Sequence, residues 1–242
     1  MTTKEKPKKS TSTTKWTKTT KRYVCYIDIM GFKDMIATKN NSEIYNMMKK
    51  VVLFQKNNAN IDWFDKPNLV ETTTYSDSIV IYSANDDRNS LDAIICTIAG
   101  LTQDLLSEGI PFKGALSAGL MTYDKENSIY FGQPLIDSYL LQEELHYYGI
   151  IVHGSAQEKI EEYEYMSFMH EYNCPLKKGK SKHLTIAPIY LSLPIKRFEK
   201  HDTKLINSVN SMKFTTSGHL RIYVDSTIDY IKTIKSKIQK NE

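Results

Sequence analysis

The sequence predicts an α+β fold: an antiparallel sheet with two helices on one face. Two observations predict it. Hydrophobic periodicity switches between strand and helix in the order β-α-β-β-α-β over residues 23–121, and the two middle strands are separated only by Ser76-Asp77-Ser78, as in a hairpin. That order is the ferredoxin-like split unit, which leaves the second face of the sheet free for a partner or a substrate.

Each element has its own signal. Residues 23–30 read Tyr-Val-Cys-Tyr-Ile-Asp-Ile-Met, a β-branched and aromatic run that stops at Gly31-Phe32, as a buried strand ending in a tight turn does. Residues 33–58 place Met35, Ile36, Ile44, Met47, Met48, Val51, Val52 and Phe54 at three- and four-residue spacings. This is an amphipathic helix with a break at Asn40-Asn41-Ser42 and Ser42 as N-cap of its second part. After a loop at Pro67, residues 69–75 and 79–82 are short strands with Asp77 at the hairpin tip. Residues 86–106 begin with Asp and Asn and continue with Leu91, Ile94, Ile95, Ile98, Leu101 and Leu105 in helical period, before residues 112–121 return to strand around Gly114 and Gly119. Additional C-terminal strands are expected at 129–131, 150–153 and 183–193, and helices at 135–148, 156–172, 197–212 and up to Ile238.

With 242 residues, 40% hydrophobic and 25% charged, the chain has the composition of a globular protein and none of a fibrous or wholly disordered one. No stretch reaches the roughly 18 apolar residues of a membrane span, and residues 1–22 lack the apolar centre of a signal peptide, so no membrane partner and a cytoplasmic location are expected. Cys25, Cys96 and Cys174 are far apart and odd in number, which suits reduced core residues better than disulfides. Residues 1–22 carry eight Lys or Arg against Glu5, a net +7, whereas the whole chain is +4, leaving −3 for residues 23–242. The basic character thus belongs to a tail expected to be disordered, and a stable nucleic-acid complex is not expected of the single domain spanning 23–242. Walker, Rossmann and nucleophile-elbow patterns are absent, and the six histidines show no metal-ligand spacing.

Two carboxylates stand out. Asp28 interrupts an apolar strand, where it either caps the following turn or meets a cation or several donors. Asp77 alone is an ordinary turn residue. In a β-α-β-β-α-β sheet, however, the first strand lies beside the central hairpin, so the two aspartates converge at one end of the open face. With no basic residue beside either in sequence, they repel unless divalent cations sit between them, which is the geometry of two-metal phosphoryl chemistry.

Four segments, taken in order, carry a resemblance: Tyr26-Ile27-Asp28-Ile29-Met30-Gly31-Phe32, Tyr75-Ser76-Asp77-Ser78-Ile79-Val80, Lys113-Gly114-Ala115-Leu116-Ser117-Ala118-Gly119 and Phe131-Gly132-Gln133-Pro134-Leu135-Ile136. They resemble the class III nucleotidyl cyclases, and more closely the Pycsar pyrimidine nucleotide cyclases of bacterial phage defence, with which Cys174-Pro175-Leu176-Lys177 also agrees. The resemblance covers about residues 23–195. It implies a homodimer with active sites at the interface and two divalent ions, Mn²⁺ or Mg²⁺, held by Asp28, Asp77 and the backbone carbonyl of Ile29. It further implies triphosphate binding by the turn Gly31-Phe32-Lys33 at a helix start, with Lys113, Lys177, Lys178 and Lys180 as candidate phosphate contacts. The implied reaction is attack of a 3′-hydroxyl on the α-phosphorus, giving a 3′,5′-cyclic nucleotide for a separate effector protein, and pyrophosphate.

Departures from the purine cyclases point to the base. The positions that read adenine or guanine there fall near Thr73 and Ile129, which make neither contact, so UTP is expected ahead of CTP and both ahead of purines. The helix that supplies an Asn and an Arg reads Leu135-Ile136-Asp137-Ser138-Tyr139-Leu140 and contains neither, with Tyr139 expected to pack a dimer interface. Two rival readings remain at this point: a catalytically silent nucleotide-binding or dimerisation module, and an RRM-type RNA-binding domain, whose strand aromatics do not match here.

Overall fold

The computed structural model describes residue 14 and residues 16–59, 68–164, 168–192 and 199–239. Most of the expected tail, the Pro67 loop, residues 165–167 and residues 193–198 lie outside the described residues. The elements run β1 (Thr19–Ile29), α1 (Phe32–Thr38), α2 (Asn41–Ala59), β2 (Val70–Tyr75), β3 (Ser78–Ser83), α3 (Arg88–Ser107), β4 (Phe112–Asp124), β5 (Ile129–Gly132), α4 (Gln133–Glu143), β6 (Ile150–Val152), α5 (Gly154–Glu162), β7 (Met169–Leu176), β8 (Gly179–Ile186), α6 (Glu199–Ser211) and α7 (His219–Gln239). One sheet holds all eight strands in the order β2-β3-β1-β4-β6-β8-β7, with β5 paired to β4. The first four strands are antiparallel neighbours, as the β-α-β-β-α-β order requires, and β6 extends the sheet in parallel with β4.

Strand alternation sorts β1 into two faces. Tyr23, Cys25, Ile27 and Ile29 enter the main core with Ile94, Ile95 and Ile98 of α3 and Val51 of α2, whereas Val24 packs on the opposite face with Tyr82, Met121 and Tyr123. All three cysteines are buried and none is in a disulfide. The α2 helix is capped by Asn40: Glu43 N–H donates to Asn40 Oδ1 at 3.0 Å while Asn40 N–H donates back to Glu43 Oε2 at 3.2 Å. This reciprocal pair starts the helix two residues before the expected cap at Ser42. Asp87 caps α3 by accepting from Ser90 N–H at 2.7 Å.

Other expectations need correction too: the strand expected over 183–193 runs Gly179–Ile186, and the helix expected over 135–148 ends at Glu143. β1 starts at Thr19 rather than Tyr23, so residues 19–22 of the expected tail belong to the sheet, and Arg22 is fully buried. Its guanidinium donates to Thr17 O at 2.6 Å and lies 5.2 Å from the Trp16 ring centroid. The helix expected over 156–172 ends at Glu162, with Glu164 in the left-handed region at φ 50°, and Met169–Leu176 is a strand. The second face of the sheet is not wholly free. The α4 helix lies across β1 and β4 there, pinned by Ser117 Oγ donating to Pro134 O at 2.5 Å and by the Tyr139 ring meeting Tyr26 edge-on at 5.3 Å.

Candidate active site

Register sets the site. Asp28 faces Ser78 of β3 on one side and Lys113 of β4 on the other, and cross-strand partners share a sheet face. The two-residue turn Ser76-Asp77 closes the β2–β3 hairpin, with Ser76 in the left-handed region at φ 55°. Asp77 is tied to the end of β1 because Ile29 N–H donates to its carbonyl at 2.9 Å. The two aspartates therefore meet at one sheet end, as the sequence implies. Burial, followed by the charge of Asp77, pushes the Asp28 carboxyl up from its ordinary 3.8 to about 6, even though Lys113 pulls it down.

No basic residue neighbours these carboxylates along the chain, but Lys113 stands beside Asp28 in space. Lys113 has a side chain only 8% exposed, and its ammonium pairs with Glu143 Oε1 at 3.2 Å. Lys177 approaches the other oxygen of Glu143 at 3.5 Å. A short antiparallel bridge makes this possible: Leu145 pairs with Leu176, Lys177 N–H donates to Glu144 O, and His146 N–H donates to Pro175 O. Burial works to raise the Glu143 carboxyl, but the two lysines and Gln142 outweigh it and hold it below the usual glutamate range.

The other expected residues divide. Gly31 is the N-cap of α1 at φ 74° with no side chain capping the helix, and a Cβ there meets nothing within 4 Å, so the left-handed backbone is what calls for glycine. Phe32 is buried and anchors that turn, while Lys33 is exposed. Ile29 is buried in the core with its backbone at the site. Lys178 is exposed in the β7–β8 turn, and Lys180 lines a separate groove with Glu171, Lys182, Asp229 and Lys237. No described contact brings Lys33, Lys178 or Lys180 to the aspartates.

Three participants were not singled out from sequence. Glu143 carries no sequence signal beyond its place in the helix expected over 135–148. It lies four residues after Tyr139, so both project from one helical face onto β1 and β4, a spacing visible only once α4 is known to cross the sheet. Tyr26 shares the face of Asp28 two residues away, and its hydroxyl is 2.5 Å from Ser78 Oγ. His146 packs edge-on against His219 and Tyr223, and burial, then His219, then Lys177 and Lys113 lower its pKa.

Among the described residues no group of three or more His, Cys, Asp or Glu side chains is arranged to hold a metal ion. The protein side offers two carboxylates, a hard-oxygen set of the kind that suits a Mg²⁺- or Mn²⁺-type ion. The rise in the Asp28 pKa comes first from burial and then from the neighbouring Asp77 carboxylate, against the pull of Lys113.

Comparison with solved structures identifies the architecture. The guanylate cyclase domain of RhGC from Catenaria anguillulae, in complex with GTP, is 13% identical and superimposes with a TM-score of 0.53 over 71% of this chain and 100% of that one. The catalytic core of a rhodopsin-guanylyl cyclase with converted specificity, in complex with ATPalphaS, gives 0.54 at 13% identity over 70% and 96%, and a bacterial light-regulated adenylyl cyclase gives 0.51 at 9% over 78% and 98%. No family model and no curated protein matches the sequence. The chain has the α+β fold of class III nucleotidyl cyclase domains. Among the described residues, no helix is long and apolar enough to cross a membrane.

Proposed function

We propose that the protein is a divalent-metal-dependent pyrimidine nucleotide cyclase, converting UTP, or CTP, to the 3′,5′-cyclic monophosphate and pyrophosphate. The observation that carries this reading is the convergence of Asp28 and Asp77 at one end of a cyclase-type sheet, with Asp28 pushed up to about 6. The two carboxylates and the Ile29 carbonyl would hold two ions, Mg²⁺ or Mn²⁺, which would acidify the 3′-hydroxyl and neutralise charge on the phosphates. Lys113 and Lys177 supply cations to the triphosphate from β4 and the β7–β8 turn. The uncapped first turn at Gly31-Phe32-Lys33 supplies backbone N–H groups, with Lys33 and Lys178 as further candidate cations for the phosphates.

Thr73 and the exposed Ile129 support a pyrimidine substrate, since neither is the charged residue by which the purine cyclases that the sequence resembles read their base. Ile136 and Leu140 are each more than half exposed on α4, which supports a second copy docking over that helix and completing the site. The cyclic product then serves as a messenger to a separate effector in antiphage defence. Presenting ATP, GTP, CTP and UTP together with Mn²⁺ tests the substrate: cyclic UMP or cyclic CMP is expected to dominate, and a predominantly purine product overturns the pyrimidine assignment.

A further inference from the structure

We propose that Glu143 is a built-in stand-in for substrate phosphate: its carboxylate holds Lys113 and Lys177 together in the nucleotide-free protein, and a polyphosphate takes over both ammonium groups by displacing it. The proposal rests on reading this sheet face as the triphosphate site. A nearly buried ammonium needs a counter-ion, and Lys113 has Asp28 directly across the strand pair, yet its ion pair is with Glu143 at 3.2 Å. The second oxygen of the same carboxylate faces Lys177 of the β7–β8 turn at 3.5 Å. One oxyanion bridging two lysines from separate elements is the arrangement a phosphate group makes.

The place of Glu143 in its helix adds an independent reason. It is the last residue of α4 and is followed by Glu144, so it sits at the negative end of the helix dipole, where a carboxylate is unfavourable. Helix stability therefore does not account for it, whereas its lysine partners do. Counting Asp28, Asp77 and Glu143 against Lys113 and Lys177, the ionised site carries one net negative charge and repels a polyphosphate. Asp28 is fixed in a central strand and Asp77 is in a turn tied to it. Glu143, with a side chain 40% exposed at a helix end, is the carboxylate with room to leave.

Calorimetric titration of inorganic tripolyphosphate with magnesium into the full chain tests this without nucleotide or turnover. Glu143→Gln is expected to bind on the order of tenfold more tightly than the natural protein, and Lys177→Ala more weakly than both. Glu143→Asp, which keeps the charge but withdraws it from Lys113, moves affinity the same way by a smaller factor and serves if the Gln variant does not fold. Equal or weaker binding by folded Glu143 variants overturns the stand-in role while leaving the phosphate site intact. Absence of tripolyphosphate binding in every form overturns the phosphate site itself and the proposed function with it.

Discussion

An Asp28→Asn substitution keeps the shape of the side chain and removes its charge, which separates what the carboxylate costs the fold from what it does for the chemistry. In the folded protein burial and Asp77 raise Asp28 from 3.8 to about 6. At about 1.4 kcal/mol per pKa unit, the displacement has a ceiling of about 3 kcal/mol. The side chain is only half buried, so solvent screening brings the expected gain to about 1–2 kcal/mol. For a domain of this size that is roughly 3–6 °C in Tm. Because the folded pKa lies above the unfolded one, wild-type stability is fully present below about 3.8 and is lost as pH rises through about 6. Calorimetric melts are therefore expected to show the Asn variant more stable at pH 8 and the two proteins alike near pH 4. Added Mn²⁺ should raise the wild-type Tm and leave the variant unmoved, and cyclase activity should be lost in the variant. A variant that melts at or below the wild-type temperature at pH 8 refutes the reasoning, since Asp28 is then not carrying a desolvated, repelled charge.

Other consequences concern the frame that holds the site. Gly114→Ala places a Cβ 2.6 Å from Tyr26 O and from Ile150 Cδ1, so overpacking of the central strands is expected to cost about 2 kcal/mol or more, read from urea unfolding. Arg22→Ala removes a buried guanidinium that ties residues 16–17 to the sheet, with an expected loss of about 3 kcal/mol and faster proteolysis near Trp16. Tyr26→Phe removes the hydroxyl partner of Ser78 beside Asp28, for an expected loss of about 1 kcal/mol in chemical denaturation.

The parts of the molecule that were legible in sequence are those governed by local pattern. The apolar run before Gly31, the helical period through Ile94, Ile95 and Ile98, and the short turn at Asp77 together place Asp28 and Asp77 at one sheet end, because the connection order leaves β1 beside β3. Tertiary context decided the rest. Thr19 to Arg22 looked like tail because they are polar, but Thr19 pairs with Thr122 through their hydroxyls and Arg22 is buried against Trp16 and Tyr123. Residues 169–172 continued the apolar spacing of α5, and the left-handed turn at Glu164 that ends it has no glycine to announce it. The Lys113–Glu143–Lys177 cluster draws one residue from each of β4, α4 and the β7–β8 turn, so no local pattern brings them together.

The central claim is that Asp28 and Asp77 act together on a nucleoside triphosphate, and its most direct test is product formation. Purified protein is incubated with UTP or CTP and Mn²⁺ beside Asp28→Ala and Asp77→Ala, with cyclic nucleotide and pyrophosphate quantified by mass spectrometry. The expected result is one pyrophosphate per cyclic pyrimidine monophosphate in the natural protein and a loss of about 100-fold or more in each variant. A folded natural protein that makes no cyclic nucleotide, or a variant that retains full activity, contradicts it.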